Sequence, residues 1–231
     1  MYQFRFAPVF AHIDLLLQGT AATLWISAAV IIAGSLVGVA GAVASGSRWK
    51  PLRRGTRTYV ELVRNTPLLA QLFFIYFGLP GLGLRLDAIA AALVALTINL
   101  GAYTTEIVRG GIAAVPRGYT DAGTALGLKS WQVFLLIVLK PALKVMFPAL
   151  ASQFTLLMLA TSLLSQIGVP DLFHMGSLID SATYRSFEVY AVVCGFYLVL
   201  AIVFRMMFAA LYWLLFAEHV PDAPARAIGG A

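Results

Sequence analysis

Long apolar stretches alternate with short polar ones along this chain. Five of the apolar stretches are long enough to cross a bilayer, for which about 20 residues are needed. They cover residues 16–45, 67–84, 88–108, 145–167 and 189–216, with an amphipathic stretch before the fourth. A membrane β-barrel would instead show alternating segments of about 10 residues. The pattern predicts an all-α polytopic membrane protein with about five transmembrane helices.

Composition supports this prediction. The chain is 61% hydrophobic and only 11% charged, whereas a soluble domain is roughly 25% charged. A net charge of +6 could indicate a nucleic-acid partner. In a membrane protein, however, basic residues mark cytoplasmic loops, so we expect contact with membrane lipid and not with nucleic acid.

The basic residues also predict the orientation. All but three of the sixteen lysines and arginines fall in the loop after the first span, in the loop after the third span, or at the C-terminal end, and the exceptions are Arg5, Arg85 and Arg185. The positive-inside rule therefore places the N-terminus outside and the C-terminus inside. We expect one transmembrane domain over residues 1–217 and a short disordered cytoplasmic tail over residues 218–231, which is rich in Ala, Gly and Pro.

A polar segment over residues 115–127 separates the third span from the amphipathic stretch. Pro116 suits the first turn of a helix, and Gly127 suits its C-terminal cap. Small residues between them leave a smooth surface that a partner could approach, and Asp121 offers one charge. The segment is too short to cross a bilayer and lies in the cytoplasm under the predicted orientation. Taken alone, these residues favour a plain connector over a docking helix.

Motifs for chemistry are missing from the sequence. The segment 123–130 is faintly like a phosphate-binding loop, but Leu128 separates Gly127 from Lys129 and the first spacing is wrong. The three histidines are far apart, so we expect no metal site. No nucleophile motif is present, and Cys194 reads as a packed small side chain. We therefore expect no enzyme activity and no bound cofactor in this chain.

Polar side chains within the spans are candidates for a solute path, because such groups are costly in a membrane. Asn99, Glu106 and Gln166 are the candidates here. Glu106 has a second interpretation, in which it sits at the cytoplasmic boundary and pairs with Arg109.

Two further patterns have structural alternatives. Glu61 and Arg64 are three residues apart and share one face if their loop is helical, so they form either a surface ion pair or a support for the cytoplasmic segment. A small residue recurs every fourth position in and just past the first span, at Gly34, Gly38, Ala42 and Gly46. We interpret this repeat as a ridge for close helix packing.

The polar segment resembles the cytoplasmic EAA loop of ABC importer permeases. The matching positions are Asp121-Ala122-Gly123, Gly127 and Ile137-Val138-Leu139, and nine residues separate Gly127 from Ile137 as in that loop. Asp replaces Glu, and Gly replaces the second Ala. Lys140 stands where the pattern has proline, and Pro141 follows one residue later.

Other blocks of the chain resemble the polar amino-acid uptake branch of these permeases. They lie at residues 16–24, 59–69, 101–111 and, more weakly, 186–190, in the same order as in that branch. The resemblance implies a permease subunit of the bacterial inner membrane that imports a polar amino acid by alternating access.

The same resemblance implies partners. These are cytoplasmic ATPase subunits, a periplasmic solute-binding protein, and a second permease copy or a sister permease. By matching position, it assigns Asp121, Ala122, Gly123 and Gly127 to the ATPase contact. A secondary transporter driven by an ion gradient and a membrane assembly subunit without a solute path are the alternatives, although the inverted repeat common in secondary transporters is not evident.

Overall fold

The computed structural model of the protein describes residues 3–216, and every regular element among them is helical. The α-helices are α1 (Ala7–Phe10), α2 (Ile13–Ser45), α3 (Lys50–Arg64), α4 (Leu68–Phe73), α5 (Ala88–Ala113), α6 (Arg117–Ala125), α7 (Ser130–Gln132), α8 (Leu139–Ala160), α9 (Leu172–Thr183) and α10 (Ser186–Phe216). Wider π-helical turns occur at Phe74–Gly78 and Val133–Val138, and tighter 3-10 turns at Leu79–Leu82 and Thr161–Ile167. The all-α prediction is confirmed. The predicted tail lies outside the described residues.

Four continuous helical segments are long and apolar enough to cross a membrane. They are Ile13–Ser45, Ala88–Ala113, Ser130–Ile167 and Ser186–Phe216. A fifth crossing is broken, because Lys50–Arg64 and Leu68–Leu82 meet at an angle of 108°. The second arm matches the predicted second span to within two residues, and the count of about five spans agrees with the structure.

Helix pairing fixes the direction of each span. The α2 and α5 helices are parallel, because Gly34 packs on Leu100 and Gly38 packs on Thr104. The α8 and α10 helices are antiparallel, because Phe147 stacks against Phe216 whereas Phe154 stacks against Phe208. The end of α5 contacts the beginning of α8. One end of the bundle therefore contains the last turns of α2, α5 and α10 and the first turns of the fourth span. We call it the basic end, since α3 lies there with five lysines and arginines.

Small residues let α2 and α5 approach closely. A Cβ atom added to Gly38 would lie 2.3 Å from Cβ of Thr104, and one added to Gly41 would lie 2.3 Å from Oγ1 of Thr105. The Thr105 hydroxyl also donates to the Gly38 carbonyl at 3.2 Å. The predicted ridge is confirmed for its first three members. Gly46 is the exception, because only carbonyls of its own helix lie near it.

Several sequence-based expectations need correction. The basic stretch after the first span, which was expected to be a cytoplasmic loop, is the amphipathic helix α3. The fourth span begins at Ser130 and not at residue 145, because Lys140 and Lys144 can extend their ammonium groups out of a helix that remains continuous. The helix α9 was not predicted, because its 12 residues are too few to register as a span. Cys194 is exposed, not packed.

Candidate functional site

The predicted short helix at the basic end exists as α6. Pro116 is its N-cap residue, one position before the predicted first turn, and the helix has nine residues. Gly127 adopts the left-handed conformation with φ of 76°. Its N–H donates to the Thr124 carbonyl at 2.9 Å, and the Leu128 N–H donates to the Gly123 carbonyl at 3.2 Å. These two bonds form a Schellman motif, so Gly127 ends the helix as predicted.

One face of α6 rests on the first turns of the fourth span. A Cβ atom added to Gly123 would lie 2.7 Å from Cδ1 of Ile137 and 3.0 Å from a Val133 methyl group. The Gly123 position therefore faces its own chain, not a partner as the sequence suggested. Its lack of a side chain lets the two helices meet, and two of the matched positions of the EAA loop, Gly123 and Ile137, are therefore in contact.

Most other residues of α6 and of its C-terminal cap are exposed in the described structure. Asp121, Ala122 and Gly127 are among them. Two large apolar side chains close to them in sequence, Leu126 and Trp131, are 77% and 61% exposed. An exposed apolar patch rimmed by polar residues is typical of a protein–protein contact. These two side chains carry no distinctive signal in the sequence, because apolar residues near a span are not unusual.

A second feature of the basic end is a cavity of about 480 Å³ between α3 and the last turns of α5. Glu61 and Arg64 line it together, which confirms that they share one helical face. They form no ion pair with each other among the described residues. The Arg64 guanidinium instead lies over the Tyr103 ring, 5.3 Å from its centroid.

The three solute-path candidates do not converge. Glu106 lines the cavity at the basic end and pairs with Arg109, whose Nε lies 3.0 Å from a Glu106 carboxylate oxygen. This pairing is the second interpretation that the sequence allowed. Gln166 is exposed in the last turn of the fourth span, at the other end from its start. Asn99 is buried, with 8% of its surface exposed.

Asn99 belongs to a hydrogen-bond network at the break in the second span. Its amide donates to Oε1 of Gln71 at 3.0 Å, while Nε2 of Gln71 donates to the Val63 carbonyl at 2.7 Å and to the Thr66 hydroxyl at 2.8 Å. Gln71 thus holds the residues between α3 and α4 against α5. Gln71 was not predicted as a site residue, because its partner Asn99 is 28 residues away.

A buried polar cluster joins α9 to two spans. The Asp171 carboxylate caps α9 by accepting from the His174 N–H at 2.9 Å, and it accepts from the Tyr197 hydroxyl at 3.1 Å. Thr23 of α2 accepts from the Leu172 N–H at 3.2 Å. Asp171 is fully buried. This cap was not predicted, although an aspartate directly before an apolar run is a sequence signal for one.

No group of three or more His, Cys, Asp or Glu residues is placed to hold a metal ion within residues 3–216.

Comparison with known proteins identifies the family. The family described as "Binding-protein-dependent transport system inner membrane component" matches residues 31–214. The glutamine transport system permease protein GlnP of Escherichia coli (strain K12) is 36% identical over 204 residues, which cover 87% of this chain and 93% of GlnP. The probable glutamine ABC transporter permease protein GlnM of Bacillus subtilis (strain 168) is 40% identical over 195 residues, which cover 84% of this chain and 90% of GlnM.

Solved structures give the same result. A chain in the crystal structure of an amino acid ABC transporter with histidines has a TM-score of 0.87 at 32% identity, covering 91% of this chain and 99% of that one. A chain of the MetNI methionine ABC transporter in an inward facing conformation shares the fold, with a TM-score of 0.74 at 20% identity over 89% of this chain and 98% of that one. The chain therefore belongs to the family of binding-protein-dependent transport system inner membrane components, the permease subunits of ABC transporters.

Proposed function

We propose that this permease subunit carries a polar amino acid across the bacterial inner membrane by alternating access, while separate ATPase subunits hydrolyse the ATP. The resemblance to permeases named for glutamine transport supports the substrate class. The observation that carries the mechanism is the construction of α6. It is a short capped helix that is seated on the fourth span by Gly123 and exposes Asp121 on its other face.

In this mechanism α6 transmits force. Closure of the ATPase dimer moves α6, and α6 moves the two spans to which it is tied. Only three residues connect it to α5, and its contact with Ile137 connects it to the fourth span. Asp121, Ala122, Gly127, Leu126 and Trp131 form the exposed contact with the ATPase. Gly123 supports that contact by packing α6 against Ile137 and Val133 of the fourth span.

The contact is tested by reversing the charge of its one acidic residue. Asp121→Lys should keep membrane insertion and lose the coupling of ATP hydrolysis to uptake in proteoliposomes. Asp14→Lys is the matched control, because Asp14 is also exposed on a helix but lies near the opposite end of the bundle. Normal uptake by Asp121→Lys, or an equal loss in both variants, would contradict the assignment.

We propose that the basic end faces the cytoplasm. The sequence of α3 supports this, because its lysines and arginines follow the positive-inside rule. The binding protein then docks on the outer end, near the N-terminus. A fluorescent protein that folds only in the cytoplasm should emit light when fused to the C-terminus and stay dark when fused to the N-terminus. The reverse result would invert the orientation.

The assembly is tested by purification. We propose two permease subunits, either two copies of this chain or this chain with a sister permease, and two ATPase subunits. The mass of the purified complex gives the number of subunits. Its ATPase activity in the presence of the binding protein and solute shows whether ATP hydrolysis responds to the solute. A chain that transports an amino acid without any ATPase would be a secondary transporter. A complex whose ATPase does not respond to solute would favour an assembly subunit.

The solute path is tested by uptake kinetics. Because Glu106 is half-exposed at the cavity and Gln166 is exposed, both are accessible to a solute. Asn99 is held by Gln71 and would have to release this bond. Changed affinity in Glu106→Gln would place the carboxylate in the path, whereas unchanged affinity and rate in both Asn99→Ala and Glu106→Gln would remove these residues from it.

A further inference from the structure

The cavity at the basic end is built mainly from one face of α3. Six of its lining residues are Arg53, Thr56, Arg57, Val60, Glu61 and Arg64, which follow helical spacing. The end of α2 and the last turns of α5 complete the walls. A volume of about 480 Å³ falls within the range of small-molecule sites, which is roughly 300–1,000 Å³.

The charges around this cavity do not balance. Glu106 is satisfied by Arg109, which donates to both of its oxygens. Arg53, Arg57 and Arg64 remain, and Glu61 is the only other carboxylate in the lining. None of these three arginines forms an ion pair with a described carboxylate. The cavity therefore presents an excess of two positive charges to whatever fills it.

The chemistry of these cations selects the ligand. A guanidinium group presents a planar fork of donors that matches the oxygens of a phosphate group. The surroundings of the cavity fit a position at the level of the lipid headgroups. The helix α3 turns away from the second arm of its span by 108°, and Trp49 at its start is 65% exposed. A basic amphipathic helix with an exposed tryptophan is typical of a membrane interface.

We propose that the cavity between α3 and α5 binds a phosphate group, supplied by the headgroup of an anionic phospholipid or by free phosphate. The bound anion pairs with Arg53 and Arg57 and holds α3 against α5. Because α5 leads directly into α6, the ligand stabilises the helix that carries the ATPase contact, a consequence that rests on the proposed function. Juxtamembrane arginines attract anionic lipid generally, but here a concave wall gives the contact a fixed position.

The test compares two double variants of the full-length chain purified in detergent. Arg53→Gln with Arg57→Gln removes two cations from the cavity. Arg48→Gln with Arg54→Gln removes the same charge from neighbouring exposed positions outside it. Native mass spectrometry with added phosphatidylglycerol or phosphatidylcholine measures lipid binding, and size-exclusion chromatography confirms that both variants are folded. Arg57→Lys, which keeps the charge and loses the fork, provides a milder variant should the first one unfold.

The expected result is that the unmodified chain prefers phosphatidylglycerol and that the cavity variant binds it about tenfold or more weakly, since bonds to charged groups are strong. The control variant should bind it as the unmodified chain does. The proposal would be overturned if the cavity variant and the control variant lost affinity for phosphatidylglycerol equally. It would also be overturned if the unmodified chain and both variants bound phosphatidylglycerol, phosphatidylcholine and phosphate equally well. Because binding is measured without transport, this result is independent of the proposed function.

A second arm of the experiment titrates inorganic phosphate. If phosphate binds with the same dependence on Arg57 and displaces the lipid at micromolar concentration, the source is free phosphate. If phosphate does not displace the lipid, the source is the lipid headgroup.

Discussion

Valine at position 123 should separate α6 from the fourth span and thereby uncouple ATP hydrolysis from transport. The Cβ atom alone would lie 2.7 Å from Cδ1 of Ile137 and 3.0 and 3.2 Å from the two methyl groups of Val133. Carbon atoms pack best at about 3.5–4.0 Å, and valine adds two further methyl groups. Overpacking of this kind costs about 1–3 kcal/mol. Such a cost would lower the ratio of seated to unseated helix by about 5- to 150-fold.

The assay is the amount of solute taken up per ATP hydrolysed in proteoliposomes. Gly123→Val should lower this ratio while the protein remains folded and inserted. Gly118→Val is the matched control, because Gly118 is in the same helix and a Cβ atom added there would have no neighbour within 4 Å. Its ratio should stay close to that of the unmodified protein.

A compensating substitution separates the two possible causes. Ile137→Ala removes the methyl group that is nearest to position 123, so combining it with Gly123→Val should recover part of the coupling. If the combination stays as uncoupled as Gly123→Val alone, the steric explanation is refuted and the glycine acts through the ATPase itself. An equal defect in Gly118→Val would refute it as well.

Three other predictions concern stability. Gly127→Ala places an L-residue in the left-handed conformation with φ of 76°, which should cost about 1–2 kcal/mol and should be seen as faster amide exchange in α6. Unchanged exchange would contradict this. Gly38→Leu should abolish the monodisperse peak on size exclusion because of its close contact with α5, whereas Gly46→Leu, which meets only carbonyls of its own helix, should keep it. Asp171→Ala removes a cap and a buried acceptor and should lower the free energy of unfolding by about 1–3 kcal/mol, measured by thermal unfolding. Asp171→Asn should lower it by less.

The features that were predicted correctly have local signals. Pro116 and Gly127 mark the ends of α6 by their own backbone preferences, and an apolar run marks a span wherever it occurs. The missed features depend on distant partners. Gln71 meets Asn99, and Asp171 meets Tyr197, only after the spans have packed. The burial of Gly123 also could not be read from the sequence, because a glycine is equally compatible with a partner surface and with contact inside its own chain.

The close contact between α2 and α5 has a mechanical consequence. Threonines and glycines at van der Waals distance leave no room for the helices to slide, and packed interfaces of this kind do not deform continuously. The first and third spans must then move as one rigid body, although only α5 is joined directly to α6. Under the proposed mechanism, a displacement of α6 by the ATPase reaches the first span through α5, although the first span makes no contact with the ATPase. The bending must occur elsewhere, and the break at residues 65–67 and the wide turns of Val133–Val138 are the places where the helices are already interrupted.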